Sequence, residues 1–269
     1  MSGPVLAVEQ VSISFGGVKA IEDVSLEVHD GEVLGLIGPN GAGKTSLLNC
    51  ISGVYRPTSG RILLRRPGAA GPGGEEISRL APHRIAAKGI GRTFQSLALF
   101  PGLSVLDNVT LGRHARMRSG VLASALYWGK ARREELEHRA VVEQIIDFLE
   151  MESIRRTPVG ALPYGLQKRV ELGRALALEP RLLLLDEPTS GMNLDEKEDI
   201  ARFILDINEE MGITLLFVSH DIGVTMDLCD RVVVLDQGEK VADGPPAVIR
   251  QDPNVIRAYL GGALASEGV

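Results

Sequence analysis

The residues most able to do chemistry form a glycine-rich segment that fits the pattern G-x-x-x-x-G-K-[ST]. Glycines let successive backbone N–H groups turn toward phosphate oxygens, and a helix that follows adds its positive end. Lys44 supplies a positive charge for the β and γ phosphates, and Thr45 offers a hydroxyl to Mg²⁺. The position between a predicted strand and a predicted helix favours a triphosphate-binding loop over an ordinary turn. Its predicted nucleotide-binding residues are Gly38, Pro39, Asn40, Gly41, Ala42, Gly43, Lys44, Thr45 and Ser46.

An acidic pair, Asp186 and Glu187, directly follows four consecutive leucines. The leucines suit a strand that is buried on both faces, and ligands bind α/β folds at the carboxyl ends of such strands. Asp186 can hold Mg²⁺ through its water shell, and Glu187 is placed to orient or deprotonate an attacking water. Taken alone, such a pair is more often a solvated turn. The phosphate loop elsewhere in the chain favours a metal-and-water site.

The elements that must position these residues alternate between strand and helix. Strands are predicted at 5–8, 24–28 and 32–37, and a helix at 44–51, which lacks Gly and Pro until Ser52-Gly53. From residue 181 onward, strands at 182–185, 213–218 and 232–235 alternate with helices at 194–211 and 222–229. This alternation predicts an α/β fold with a parallel sheet covered by helices.

The middle of the chain, roughly 104–178, favours helices. One charged helix is predicted at 131–150, with Val141, Ile145, Ile146 and Leu149 on its apolar face. Residues 66–76 are rich in Gly and Pro, so we predict a surface loop there, with a domain linker as the alternative.

Composition excludes several classes of function. The chain has 269 residues, and its 29 Lys and Arg against 35 Asp and Glu give a net charge of −6. This balance argues against a nucleic-acid partner, because non-specific binding depends on basic side chains that release counterions. Cys50 and Cys229 lie in no metal-ligand spacing, which suggests a reducing compartment. We find neither a secretory signal nor a run approaching the roughly 20 apolar residues of a membrane span, and expect a cytoplasmic location.

A further segment, Leu162-Pro163-Tyr164-Gly165-Leu166-Gln167-Lys168-Arg169, precedes Asp186 by about twenty residues. It resembles the signature helix of ABC transporter ATPases. Other marks of that family occur in the correct order: Phe15, Gln95, the segment Thr189-Ser190-Gly191-Met192-Asn193, and His220. The resemblance covers about residues 5–262. It is greatest to the ATPases of branched-chain amino acid importers, through the Tyr164-Gly165 pair, Leu99-Phe100-Pro101 and residues 255–261.

The resemblance implies a P-loop NTPase core with an N-terminal antiparallel β edge and an inserted helical subdomain. The core would comprise 1–95 and 180–262, the subdomain about 96–179, and a short tail 263–269. This single ABC ATPase domain would bind ATP and Mg²⁺.

The resemblance also implies roles for single residues. Phe15 would stack on adenine, although an aromatic residue at a strand edge can simply fill the core. Gln95 would sense Mg²⁺ and water, and His220 would contact the γ-phosphate and the water. Tyr164 and Gly165 would face the nucleotide of a second chain.

Three departures from the family pattern bear on this site. Pro163 replaces a serine and Leu166 a glutamine, so one hydroxyl contact to phosphate is missing. Proline is tolerated where a helix starts, and we expect the helix and its N–H groups to remain. Asn193 stands where many relatives have aspartate, which keeps the hydrogen-bonding group and loses its charge.

The resemblance implies an ATP-hydrolysing subunit of a membrane importer, on the cytoplasmic face. Its partners would be permease subunits, a second ABC ATPase, identical or related, and indirectly a solute-binding protein. Residues 96–109, including Leu97, Leu99, Phe100 and Leu103, are predicted to form a groove for a permease helix, or else to pack inside the subdomain. The uncharged stretch 120–128 would lie near the bilayer or the permease, or else fill the subdomain. Alternatives are an exporter or lipid-transport ATPase, a small-molecule kinase and a soluble ABC ATPase.

Overall fold

The computed structural model describes residues 4–65, 73–93, 97–116 and 130–266. Its strands are β1 (Leu6–Phe15), β2 (Val18–Val28), β3 (Val33–Ile37), β4 (Ser59–Leu64), β5 (Glu75–Glu76), β6 (Ile90–Arg92), β7 (Leu182–Asp186), β8 (Thr214–Val218), β9 (Arg231–Asp236) and β10 (Glu239–Gly244). Its helices are α1 (Lys44–Ile51), α2 (Pro82–Ala87), α3 (Val105–Leu111), α4 (Lys130–Phe148), α5 (Tyr164–Leu176), α6 (Leu194–Glu209), α7 (Ile222–Leu228), α8 (Pro246–Ile249) and α9 (Pro253–Ser266). Short 3₁₀ turns occur at Gly112–Ala115, Glu152–Ile154 and Val159–Ala161.

A six-stranded sheet forms the centre, in the order β10-β9-β3-β8-β7-β6. Its strands are parallel except β10, which pairs antiparallel with β9. β7 is buried on both faces: Leu182 and Leu184 pack toward α1, whereas Leu183 and Leu185 pack toward α4, α5 and α6. The prediction of a parallel sheet covered by helices is therefore confirmed.

A second sheet, with all its pairs antiparallel, has the order β2-β1-β4-β5. It packs with α1 against one face of the central sheet, as an N-terminal antiparallel edge should. The strand predicted at 5–8 continues to Phe15, because pairing resumes after an irregularity near Gln10, whose φ is +50°.

Helices α3, α4 and α5 lie between β6 and β7 in the chain and pack on one another. The apolar face of α4 contains Val142, Ile145, Ile146 and Leu149, all buried. Val141, also predicted at this face, is half-buried and packs against the same core. Val142 completes the face, because it keeps the i, i+3, i+4, i+7 spacing of a helical stripe.

The loop predicted from Gly and Pro content is only partly within the described residues. The loop predicted at 66–76 ends in the short strand β5, so its last two residues were assigned wrongly; residues 66–72 lie outside the described part. Gln95, Ser96 and the stretch 120–128 also lie outside it. Across the described ranges, every helix is too short or too polar to cross a bilayer.

Candidate active site

The glycine-rich loop connects β3 to α1 by a path that requires glycine at particular positions. Gly38 and Gly43 have φ values of +152° and +100°. A Cβ on Gly38 would lie 2.0 Å from the carbonyl oxygen of Leu235, and one on Gly43 would lie 2.5 Å from that of Ala20. Both close approaches involve backbone, so larger residues could enter only if the loop moved. The loop ends where α1 begins, with the N–H groups of the first helical turn directed into it.

The Lys44 side chain turns back into this loop. Its Nζ donates to the carbonyl oxygens of Gly38 at 2.6 Å and Pro39 at 3.0 Å. Burial lowers the pKa of Lys44, while the negative charges of Glu187 and Asp186 act in the opposite direction. The charges of Glu187 and Asp186 therefore act on the Lys44 ammonium.

Glu187 stands at the carboxyl end of β7, where the chain turns sharply. Its φ is +54°, and its N–H donates to the Val218 carbonyl of β8 at 2.9 Å. The Glu187 carboxylate contacts Nδ1 of His220, which follows β8. The glutamate side chain is 13% exposed and the histidine 59%. The two side chains thus form one pair at the open edge of the sheet.

Asp186, the other acidic residue, has a geometry that fits a metal ligand. The residue is 1% exposed, and its Oδ2 accepts from Arg92 Nη2 at 2.9 Å. Its Oδ1 is buried and lacks a hydrogen-bond partner within the described ranges. The same ranges contain no group of three or more His, Cys, Asp or Glu side chains that could hold a metal. One carboxylate oxygen suits Mg²⁺, which takes few protein ligands and keeps water and phosphate around it.

Thr45, the second predicted metal ligand, is exposed in the first turn of α1, and Ser46 follows it half-buried. Thr45 therefore directly follows Lys44 where the loop joins α1. The third predicted ligand, Gln95, lies outside the described residues.

Phe15 ends β1 at the open side of the antiparallel sheet. It is 45% exposed, and its ring meets that of Tyr55 in a T-shaped contact with centroids 5.0 Å apart. The alternative that Phe15 fills the core does not match this exposure. Tyr55, just beyond α1, was not anticipated from the sequence.

The segment with the Tyr164-Gly165 pair begins α5 as expected. Pro163 occupies the N-cap position with φ −55° and ψ 155°, so its missing N–H costs no helical hydrogen bond. The three atoms nearest to a Cβ on Gly165 would all belong to Glu196, with Oε1 only 2.4 Å away, and the Tyr164 ring lies beside Gly191. Within one chain, α5 therefore begins against the segment that follows Glu187.

Asn193 caps α6. Its Oδ1 accepts from the Glu196 N–H at 2.9 Å, while the Asn193 N–H donates to Glu196 Oε2 at 3.1 Å. This reciprocal capping box needs only an acceptor at position 193, so the neutral amide serves without a charge.

A cleft of about 470 Å³ lies between α2, α5 and the edge strand β6. Its apolar lining includes Val54, Pro82, Ile85, Leu111 and Leu178. The segment predicted either to bind a permease helix or to pack inside the subdomain shows both kinds of environment. Phe100 and Leu103 are 55% and 39% exposed, whereas Leu99 packs partly against the core.

Three residues at the site could not be anticipated from the sequence. They are Tyr55 beside Phe15, Glu196 beside Gly165, and Arg92 beside Asp186. Each partner pair is separated by at least 31 residues along the chain, so no local pattern connects them.

Two families of known proteins match this chain. The family described as ABC transporter matches residues 21–190, and the family described as branched-chain amino acid ATP-binding cassette transporter matches residues 239–265. The chain is 38% identical over 263 residues to the high-affinity branched-chain amino acid transport ATP-binding protein BraF of Pseudomonas aeruginosa. That alignment covers 98% of this chain and 100% of BraF.

Solved structures of ATP-binding cassettes share the fold. The ADP conformation of MJ1267, an ATP-binding cassette of an ABC transporter, superposes with a TM-score of 0.80 at 29% identity, covering 97% of this chain and 100% of MJ1267. The dimeric bacterial ABC transporter cassette MJ0796 gives 0.73 at 26% identity, covering 90% and 98%.

Proposed function

The chain belongs to the ABC transporter family, and we propose that its ATPase activity drives the import of branched-chain or related amino acids. As a member of this family it is an ATP-binding cassette that hydrolyses ATP. The amino-acid cargo is supported by the similarity to BraF and by the second family match at residues 239–265.

The observation that carries the catalytic proposal is the meeting of three charged or titratable groups beside the phosphate loop. Lys44, Glu187 and His220 come from the ends of three neighbouring parallel strands or their following loops. In our proposal Lys44 and the loop amides bind the β and γ phosphates. Glu187 accepts the proton of the attacking water, and His220 orients that water and the γ-phosphate.

We further propose that Asp186, Thr45 and Gln95 hold the Mg²⁺ that accompanies ATP. The buried Oδ1 of Asp186 without a hydrogen-bond partner in the described chain supports this role. Bound Mg²⁺ would neutralise charge on the phosphate oxygens. At the other end of the nucleotide, we propose that the partly exposed ring of Phe15, in T-shaped contact with Tyr55, stacks on adenine.

The remaining predicted contacts require a second cassette, identical or related. Gly165 and Tyr164 begin α5 against the segment that follows Glu187. In our proposal they face the γ-phosphate held by the other chain, so ATP joins the two chains and hydrolysis releases them. The dimeric cassette MJ0796 supports this arrangement.

Permease subunits are the proposed partners at the cytoplasmic face of the membrane. We place their contact in the cleft lined by Val54, Pro82 and Ile85, because an amphipathic helix buries its apolar face in such a groove. A solute-binding protein would act on this chain only through the permease.

The test uses the chain copurified with its permease in proteoliposomes that contain the solute-binding protein. Glu187→Gln should lower ATP turnover by about 10²- to 10⁴-fold while leaving ATP affinity unchanged, because the variant binds phosphate but cannot accept the proton. Glu198→Gln, an exposed change on α6, is the matched control and should retain turnover. Val54→Glu should bind ATP normally and fail to copurify with the permease.

Normal hydrolysis by Glu187→Gln would remove the proposed role of that residue. Turnover that no branched-chain amino acid stimulates, even with the binding protein present, would contradict the cargo and leave the ATPase chemistry intact.

A further inference from the structure

Arg92 ends the edge strand β6, and its guanidinium joins two parts of the nucleotide site. The side chain is only 7% exposed. Nη1 donates to Asn49 Oδ1 and to Ser52 Oγ, each at 2.7 Å, at the carboxyl end of α1. Nη2 donates to Asp186 Oδ2 at 2.9 Å. One planar group therefore bridges the helix that follows the phosphate loop and the acidic end of β7.

These contacts fix the orientation of the Asp186 carboxylate. Arg92 occupies Oδ2, and the Asp186 N–H donates to Thr93 Oγ1 at 3.2 Å. The carboxylate could rotate only by giving up a buried hydrogen bond to a charged group. As a result Oδ1, which lacks a hydrogen-bond partner among the described residues, keeps one direction relative to the phosphate loop.

We propose that Arg92 is a positioning residue that fixes Asp186 against α1, so that Oδ1 is held ready for the metal ion of the nucleotide. The inference rests on the metal role proposed above for Asp186. Hydrogen-bond partners of metal ligands commonly matter for affinity, and their loss typically weakens metal binding by about 10- to 100-fold.

The sign of the effect separates orientation from simple charge. A guanidinium beside Asp186 repels a cation, so if charge alone mattered, its removal would tighten metal binding. If orientation matters, removal weakens metal binding. Arg92→Lys keeps the positive charge but cannot reproduce the planar fork that reaches α1 and Asp186 together, and it isolates the geometric contribution.

The experiment measures Mn²⁺ binding to the purified full-length chain with a non-hydrolysable ATP analogue, from the electron paramagnetic resonance signal of free Mn²⁺. We expect Arg92→Gln and Arg92→Lys to raise the Mn²⁺ dissociation constant about 10-fold or more. Nucleotide affinity in EDTA should stay unchanged. Arg113→Gln is the matched control, because Arg113 is equally buried and bonds a different carboxylate, that of Glu179, at 2.7 Å; it should bind Mn²⁺ within about twofold of the unmodified chain.

Thermal melting identifies the folded variants, and Arg92→Lys carries the test if Arg92→Gln does not fold. Unchanged or tighter Mn²⁺ binding in a folded Arg92 variant would overturn the inference, as would an equal loss in Arg113→Gln. Asp186→Asn distinguishes the proposed metal role of Asp186 from the positioning role of Arg92. If it binds Mn²⁺ normally, the metal role of Asp186 fails and this inference with it. If it loses Mn²⁺ while the Arg92 variants do not, only the inference about Arg92 fails.

Discussion

Replacing Gly165 by alanine tests whether the start of α5 needs a residue without a side chain. The added Cβ would lie 2.4 Å from Oε1 and 2.7 Å from Cδ of Glu196, and contacts below 3.0 Å are essentially never seen. Both atoms belong to a side chain near its end, so Glu196 can withdraw and the backbone of α5 can stay in place.

The cost to folding should be small. Withdrawal weakens the hydrogen bond from the Asn193 N–H to Glu196 Oε2, now 3.1 Å long. One half of a helix cap contributes about 1 kcal/mol. Alanine recovers roughly 0.5–1 kcal/mol, because it loses less backbone entropy than glycine in a helix. The free energy of unfolding should therefore change by less than about 1 kcal/mol, and Tm by no more than about 4 °C.

Activity should respond far more strongly than stability. The added methyl group would push Glu196 away from the start of α5, where the proposed partner phosphate approaches. A hydrogen-bond donor that can no longer align with a phosphate in the transition state typically lowers turnover by about 10²-fold. The assay compares ATP turnover of the assembled transporter with ATP affinity of the isolated chain, which should not change. Gly173→Ala is the control, because this glycine lies on the same helix, packed against Leu149 and Met151. Full turnover in folded Gly165→Ala, or an equal loss in Gly173→Ala, would contradict a partner phosphate at the start of α5.

Two further predictions concern titratable groups. Burial raises the pKa of Cys50 to about 11 and that of Cys229 to about 12, so at pH 8 both thiols should react with iodoacetamide at least about 100-fold more slowly in the folded chain than in guanidinium. Rapid labelling of either cysteine in the folded chain would contradict this burial. The pKa of Asp221 is lowered, chiefly by its hydrogen bond from Lys197 at 2.9 Å. This pair therefore stabilises the fold at pH values above the ordinary carboxyl pKa, and the stabilisation is lost as the pH falls through the lowered pKa. Lys197→Met should therefore reduce the free energy of unfolding at pH 7 by roughly 0.5 kcal/mol. Denaturant titrations should find this difference constant from about pH 5 to 8 and smaller below about pH 4. A difference that stays constant down to about pH 2 would exclude the ion pair as its cause.

The phosphate loop and the acidic pair could be predicted because their information is local. The strand before Gly38, the turn itself and the helix from Lys44 are contiguous, and α1 was predicted with its observed bounds. The buried strand β7 was equally clear, since four leucines leave no polar face for solvent. Helix α6 ends two residues earlier than predicted, at Glu209, before the turn at Gly212.

The contacts that orient the site could not be predicted in this way. Arg92 and Asp186 are 94 residues apart, and their meeting depends on the pairing of β6 with β7. β6 has only three residues, which are too few for a periodic pattern. In β10, apolar and polar side chains do not alternate. Such elements form because a neighbouring strand offers unpaired N–H and C=O groups, and that property belongs to the sheet.

The order of strands explains why His220 reaches Glu187 across 33 residues of sequence. β8 lies between β3 and β7, and its pairing with β7 aligns Val218 with Asp186. Both strands are parallel, so the residues that follow them leave the sheet at the same edge. The positive φ of Glu187, together with its backbone hydrogen bond to Val218, then directs the acid toward the loop after β8. The position of the proposed general base is therefore set by the register between β7 and β8 as much as by the identity of residue 187.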